Sequence, residues 1–559
     1  MDVKIGLAIF LFRNFGGIQM QIGKKVALAV GAVLATWATA SSAQTGAGAS
    51  ALEEIVVTAR KRNESLQDAP LTILAFSDTQ IEERGIQSVA DLSKFSPGLT
   101  FNAGTTRSSS SFSVRGMTQI SAVGDNRRDL VTVFVDGVPL VGSPATFGAE
   151  DLARVEIVKG PQSALFGRAT FGGAVSMITT TPGDEFKAKV TATAGTYGDH
   201  RLGGSIDVPL VDGVLSGRLV VDGSEFGGFY KNALGGRLGE TESRYVAGTL
   251  NFTPTEDLSI RIRHSDRHDE DGIAATPLIA RYTSHNCGPF PGFTTRALAG
   301  LPAGFTVEQA RKAYCGPLKA PSGAISINNT LPAASIGKTK FDDHHLELDH
   351  TLTSGTLEWK FLDGYTLTAI GSTQEQEVVS LFDFERAPED RYQAFGDTVQ
   401  TQDSYEMRVT SPSEGRLDWM IGVARLEATF STIGAFINGT LFGATVGGPA
   451  AASLVPARSG SKTDSIFASV GFDVTDALNL SIEARRQKDI ITSGIGLPTK
   501  FDVETTATLP RFLVRYALDG ETNLYANYAK GNQPTQGYAT FRSEEHTSEL
   551  QSRFGISYA

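Results

Sequence analysis

The chain has 559 residues, 41% of them hydrophobic, with 60 glycines, 32 phenylalanines, 13 tyrosines and a formal net charge of −11. A mean hydropathy of −0.08 excludes both a polytopic helical membrane protein and a disordered chain. The acidic balance offers no basic stripe for phosphates, so no nucleic acid is expected as a partner.

In chain order, Met20 opens a segment carrying Lys24 and Lys25, then an apolar run over residues 26–38, then Ser41-Ser42-Ala43 as a small-residue cleavage site. This is the layout of a secretory signal peptide over residues 1–43, with Met20 the expected start. The apolar run falls short of the ~20 residues that a membrane-spanning helix needs. No later stretch reaches that length. A membrane location therefore requires a barrel, because only helices and closed barrels satisfy the backbone in lipid.

Residues 44–62 begin as a Gly/Ala/Ser linker and continue into the β-prone stretch Glu54-Ile55-Val56-Val57-Thr58-Ala59. Residues 63–183 read as a compact α+β region. Residues 81–95 hold a helix-like stretch, with Val89, Leu92 and Phe95 at helical spacing and Pro97-Gly98 as the stop. Strands are predicted over 131–135, 154–158 and 173–179, the first turned by Asp136-Gly137.

After Pro182-Gly183 the pattern becomes period-two alternation, as in residues 186–193, 258–263 and 478–484. Short turns are predicted near residues 211–213, 254–257, 362–364, 413–415, 475–477 and 518–521. Much longer stretches lie between them, notably 267–340 and 436–461. Short turns at one rim and long loops at the other are the arrangement of outer-membrane barrels. Counting gives roughly 13 or 14 strands over residues 184–541, against the ~22 of barrels that hold a plug. Cys287 and Cys315 would be inert thiols in a cytosolic chain. In an exported one a disulfide closing the long loop is expected, contributing about 3 kcal/mol. Residues 542–559 break the alternation and read as a non-native tail.

Several motifs in order resemble the TonB-dependent outer-membrane receptors. Residues 54–59 resemble the family's TonB box, a segment able to add as a strand to a partner's sheet edge. Ser113-Val114-Arg115-Gly116 and the hairpin Val133 to Pro139, with Asp136 and Gly137, resemble plug motifs. So do Arg154-Val155-Glu156, Lys159-Gly160-Pro161, Leu165-Phe166-Gly167-Arg168 and Gly172-Gly173-Ala174-Val175. The resemblance implies a mainly β protein, with an N-terminal α+β plug inside a transmembrane antiparallel barrel, here C-terminally truncated. It implies active import powered by the TonB complex and no enzymatic activity. The ligand is expected to be a bulky nutrient such as a ferric siderophore, with cobalamin, an oligosaccharide, haem or an aromatic compound as alternatives. Outer-membrane lipid is the expected surround. No resident cofactor is expected, and any iron would arrive with the ligand. Arg115, Arg154, Glu156 and Arg168 read either as ion pairs between plug and barrel wall or as solvated charges in a wet lumen.

Other signals carry less. Gly167 and Gly172 lack the Lys and Ser/Thr of a phosphate loop. Asp269-Glu270-Asp271-Gly272 reads as a solvated acidic loop rather than a calcium loop. His344, His345 and His350 read as ordinary strand positions, with haem ligation the alternative. A passive porin would leave the plug motifs unexplained, and a secreted all-β glycosidase would leave the loop asymmetry unexplained.

Overall fold

The computed structural model describes residues 56–104, 106–117, 130–232, 236–275, 287–289, 312–313, 315–316, 346–383, 393–413, 415–438, 440–441, 444–445, 457–498, 500–518, 522–532 and 550–558. The signal-peptide reading, Glu54, Ile55, His344 and His345 lie outside the described residues.

The N-terminal region starts with the short pair β1 (Val56–Val57) and β2 (Glu64–Ser65). It continues through β3 (Thr72–Ser77), helix α1 (Asp78–Glu83), helix α2 (Leu92–Phe95), β4 (Leu99–Asn102), β5 (Ser111–Val114), β6 (Val131–Val135) and β7 (Val138–Pro139). It ends with β8 (Leu152–Lys159), helix α3 (Ser163–Phe166) and β9 (Gly173–Thr179). A five-stranded sheet runs in the order β3-β8-β9-β6-β7, and its one parallel ladder joins β6 to β9. Phe76, Ile81, Leu92, Val133, Ile157 and Val175 build the core on it. The helix-like stretch is broken rather than continuous. Ser77 caps α1 reciprocally with Gln80, and Gly85 at φ 62 ends the turn.

Glycine is obligatory where β8 meets β9. A Cβ on Gly173 would lie 2.5 Å from the Val158 carbonyl oxygen. Gly173→Ala is therefore expected to destabilise the plug by about 1–3 kcal/mol. Hydrogen exchange of the β8 and β9 amides would read this as faster opening, and unchanged protection would contradict it.

The second region is a 14-stranded antiparallel sheet of sequential neighbours. Its strands are β10 (Lys187–Ala194), β11 (His200–Val211), β12 (Leu215–Lys231), β13 (Arg237–Thr255), β14 (Leu258–Asp271), β17 (Leu346–Phe361), β18 (Tyr365–Asp383) and β19 (Gln393–Thr410). They continue as β20 (Leu417–Asn438), β23 (Ala457–Asp473), β24 (Leu478–Ser493), β25 (Phe501–Ala517), β26 (Thr522–Lys530) and β27 (Leu550–Tyr558). Two small ribbons lie in the long connections, β15 (Cys287–Pro289) with β16 (Lys312–Ala313), and β21 (Thr440–Leu441) with β22 (Ala444–Thr445). Cys287 and Cys315 form a disulfide with Cα atoms 5.6 Å apart. The strand ends on either side of the six predicted short turns lie at one rim. Within the stretch read as a non-native tail, residues 550–558 form β27, which pairs along the whole of β26.

Burial on these strands is the reverse of a soluble sheet. On β24, Ser481, Glu483, Arg485, Gln487 and Asp489 are buried while Leu480 and Ile482 are exposed. The exposed positions of neighbouring strands include Ile421, Val423, Ile466, Val470, Phe512 and Val514. An apolar exterior over a polar interior fits a sheet whose outside faces lipid. Trp359, Phe361, Tyr365 and Trp419 form a ring chain with centroids 5.3, 6.0 and 5.9 Å apart beside the short turns. That is where interfacial aromatics belong.

The sheet curls around the plug. Arg218 on β12 meets Asp151, and Arg515 on β25 meets Asp68. Nine strand spacings separate these two strands, roughly 43 Å if the sheet were flat. A domain of the plug's size is about 35 Å across. It can touch both strands, and those between them, only from inside a curved wall.

Candidate functional site

The residues after β1 are docked rather than free. Val57 and Ala59 are fully buried, Val57 against Ala69 and Ala75. Ala59 packs against Leu71, Val158 and, from the wall, Leu513. Between them the Thr58 N–H donates to both oxygens of Glu156 at 2.9 Å, and its hydroxyl donates at 3.1 Å. Glu156 is buried on β8 and also accepts from Arg154 Nε at 2.9 Å. A carboxylate accepting an N–H, an O–H and a guanidinium is well satisfied, and each charge-assisted bond contributes about 1.5–3 kcal/mol.

Lys61 takes φ 60, and its N–H closes a turn on the Thr58 carbonyl at 2.8 Å. The turn fans three successive cations onto three wall strands. Arg60 Nε donates to Glu483 on β24 at 2.9 Å, Lys61 pairs with Glu406 on β19, and Arg62 pairs with Asp418 on β20. Glu483 is shared with Arg511 on β25. Arg511 Nη1 in turn donates to Gln162 of the plug at 2.6 Å, and Arg485 donates to the Leu165 carbonyl at 2.6 Å. Glu483 and Arg511 are wholly buried. Such pairs contribute little net stability against apolar residues but are costly to break singly.

Burial pushes the Lys61 ammonium down to about 8, against the raising influence of Glu406. A segment released into water returns to the ordinary lysine value, so between those values it holds a proton that the docked segment lacks. Docking therefore strengthens as pH rises from about 8 toward about 10.5, by at most about 1.4 kcal/mol per pH unit. Below 8 both states are protonated and this dependence vanishes. Thiol labelling of Val57→Cys across pH 7–10, corrected for thiolate fraction, is expected to slow above pH 8. A flat profile would contradict it.

Other plug residues hold the opposite wall. Arg218 Nε meets Asp151 at 2.8 Å, Arg267 meets Glu150 at 3.2 Å, Arg261 meets Asp136 at 3.1 Å, and Arg107 Nε meets Asp271 at 2.8 Å. Among the described residues, several spaces flank the plug. A cavity of about 480 Å³ opens at the long-loop rim between Phe101 and Arg107 of the plug and Phe229, Asp271, Leu346 and Leu381 of the wall. A smaller one of about 90 Å³ lies in the lumen, lined by Lys61, Phe166, Arg168, Gln402, Glu406 and Arg485 among others.

The sequence-derived residues fall into groups. Val56, Val57, Thr58 and Ala59 are the docked segment. Asp136 and Gly137, at φ 50 and 83, turn the β6–β7 hairpin, and Asp136 accepts from the Thr179 N–H at 3.0 Å. Arg115 and Gly116, at φ 52 and 79, turn the chain after β5, with the Arg115 N–H on the Gly98 carbonyl at 2.7 Å. The Gly160-Pro161 turn is fixed by the Gly160 N–H on Gly172, and Gly172 donates to Leu130. Gly167, at φ 86, lets α3 approach Arg485.

Two expectations need correction. Arg154 and Glu156 do not bridge plug and wall; they pair with each other and hold Thr58, because both point to the same side of β8. The acidic run at residues 269–271 is no solvated loop. It ends β14, where Asp269 is buried against Arg267 at 3.0 Å and Asp271 meets Arg107. His350 is buried against the Phe147 ring, 5.6 Å between centroids. The wall-pairing cations Arg60, Lys61 and Arg62 were missed, although three adjacent basic residues directly after a β-prone stretch were a visible signal.

A plug inside a polar-lined, lipid-facing sheet, with a docked N-terminal segment, defines a plugged outer-membrane receptor. Residues 65–174 match the TonB-dependent Receptor Plug Domain, and residues 276–556, half of the chain, match the TonB dependent receptor-like β-barrel. The chain belongs to the TonB-dependent receptor family, a non-enzymatic transport family of the Gram-negative outer membrane. It is 26% identical over 170 residues to the pesticin receptor of Yersinia pestis, covering 30% of this chain and 24% of that protein. It is 31% identical over 146 residues to the probable TonB-dependent receptor BfrD of Bordetella pertussis, covering 25% of this chain and 18% of that one. The chain's match thus spans about a quarter or less of these curated relatives. It shares its fold with the ferric yersiniabactin uptake receptor FyuA of Yersinia pestis, at TM-score 0.65 and 17% identity over 88% of this chain and 70% of that one. The ferripyoverdine receptor of Pseudomonas aeruginosa gives 0.64 and 16%, over 90% and 62%.

Proposed function

We propose that the protein imports a ferric siderophore across the outer membrane, driven by TonB acting on residues 54–59. The observation that carries this reading is the docked segment, a short strand held by Thr58–Glu156 and followed by three wall ion pairs. A tether of polar contacts yields to a pull in steps, whereas an apolar seal of equal area would resist as a whole. The fold neighbours whose names specify ferric yersiniabactin and ferripyoverdine support the ligand class. The rim cavity is lined mostly by apolar and small side chains together with the charged Arg107, Glu240 and Asp271, the character of a site for a bulky amphiphilic chelate. The test measures binding of ferric yersiniabactin, ferripyoverdine, cyanocobalamin, haemin and maltodextrin to the purified protein by equilibrium dialysis. Saturable binding of a ferric chelate alone is expected. Saturation only by one of the other three would overturn the ligand class while leaving TonB coupling to be judged separately.

A further inference from the structure

The outward face of the wall changes chemistry along its strands. From the short-turn rim, β14 presents Ile260, Ile262, His264, Asp266, His268 and Glu270 on that face, alternating with the buried Arg263, Arg267 and Asp269. Paired β17 presents Leu357, Thr353, Thr351, Asp349 and Glu347. The apolar band that suits lipid tails thus gives way to ionisable groups near the long-loop rim, at headgroup level and beyond.

At that level the register sets His268 opposite Asp349 and Glu270 opposite Glu347. His268 Nδ1 lies 2.6 Å from an Asp349 oxygen, and Nε2 lies 3.0 Å from a Glu270 oxygen. His268, Glu347 and Asp349 each offer a ligand atom within 4.8 Å of the others. We propose that His268, Asp349 and Glu347 form a divalent transition-metal site, of zinc type, on the outer wall of the barrel.

The donor set argues for the class of ion. One imidazole and two carboxylates with an open position suit zinc, whereas calcium and magnesium take all-oxygen shells. Zinc bonds of about 2.0–2.2 Å at tetrahedral angles put ligand atoms roughly 3.4 Å apart. Asp349 is half exposed, so a small side-chain rotation converts its direct contact with the ring into that spacing. Glu270 on the second ring nitrogen does what outer-shell carboxylates do for metal-bound histidines, fixing tautomer and ring orientation. The site also has a mechanical consequence. His268 sits near the end of β14 and Glu347 and Asp349 near the start of β17, so a bound ion staples the two stems of the connection that carries Cys287 and Cys315.

The test uses the whole chain in detergent micelles, stripped with chelator and dialysed, with zinc chloride titrated by calorimetry and cobalt chloride followed by visible absorption. One equivalent of zinc is expected, bound at least about tenfold more tightly than calcium. His268→Asn and Asp349→Asn should each weaken it by tenfold or more, and Glu270→Gln by about tenfold. His264→Asn, on the same face four residues away, should change nothing. Heat-modifiable gel mobility confirms that each variant keeps its barrel, and Asp349→Asn stands in if His268→Asn does not. Zinc affinity unchanged in the folded variants, or calcium binding as tight as zinc, would overturn the site.

Discussion

Glu483→Ala is expected to undock the N-terminal segment. Removing this carboxylate leaves Arg60 and Arg511 buried without their shared counter-charge. Breaking one side of a buried ionic group typically costs about 3–5 kcal/mol, which is roughly two to four orders of magnitude in the docking equilibrium. Arg511 is fixed on the wall and keeps Gln162. Arg60 lies on the chain that can leave, so relief comes by release of the segment. In a Val57→Cys background, maleimide labelling in isolated outer membranes should rise by about a hundredfold. Glu483→Gln retains an acceptor for one guanidinium and should give a smaller rise. Arg60→Ala leaves the Glu483–Arg511 pair whole and should fall between them. Labelling that stays at the parent rate in a correctly assembled Glu483→Ala variant would show that Thr58, the apolar contacts and the Lys61 and Arg62 pairs hold the segment without Glu483.

Much of this architecture is legible in the sequence. Period-two alternation marked the wall strands, and the glycine and aspartate turns marked one rim, because these signals are local. Val131–Val135 and Gly173–Thr179 emerged with the bounds read from the sequence. The latch was not legible. Its partners Glu406, Asp418 and Glu483 lie hundreds of residues from Arg60, Lys61 and Arg62. On an alternating strand, an acid turned inward to a cation looks the same as one turned to water. The direction of Glu156 was misjudged for a related reason. Alternation places Arg154 and Glu156 on one face, but only the docked course of Thr58 shows which neighbour that face meets. The 269–271 run misled because three consecutive polar residues suggest a loop. Each inward carboxylate there is matched by an arginine from elsewhere in the fold.

Deleting residues 54–59 is expected to abolish energised uptake while leaving ligand binding at the cell surface intact. The two functions sit on different parts of the molecule. The rim cavity is built by Phe101 and Arg107 of the plug and by the outer ends of β12, β13, β14, β17 and β18. The plug stays anchored to the wall through Arg107–Asp271 at that cavity and through Arg218–Asp151 and Arg267–Glu150 elsewhere. None of these contacts involves the deleted residues. The deletion removes the strand that a partner could pair with, and it leaves Glu156 with Arg154 but without Thr58. In cells expressing this receptor as their sole route, accumulation of 55Fe presented as the cognate chelate should drop to the level seen with a protonophore. Surface-bound counts at 4 °C should match the parent. Glu483→Ala acts in the opposite sense, since it exposes the same segment without removing it and should increase capture by the periplasmic domain of TonB. Uptake that persists in the deletion variant and is insensitive to the protonophore would mean that the docked segment is only a structural strap, and that ligand crosses by diffusion past the plug.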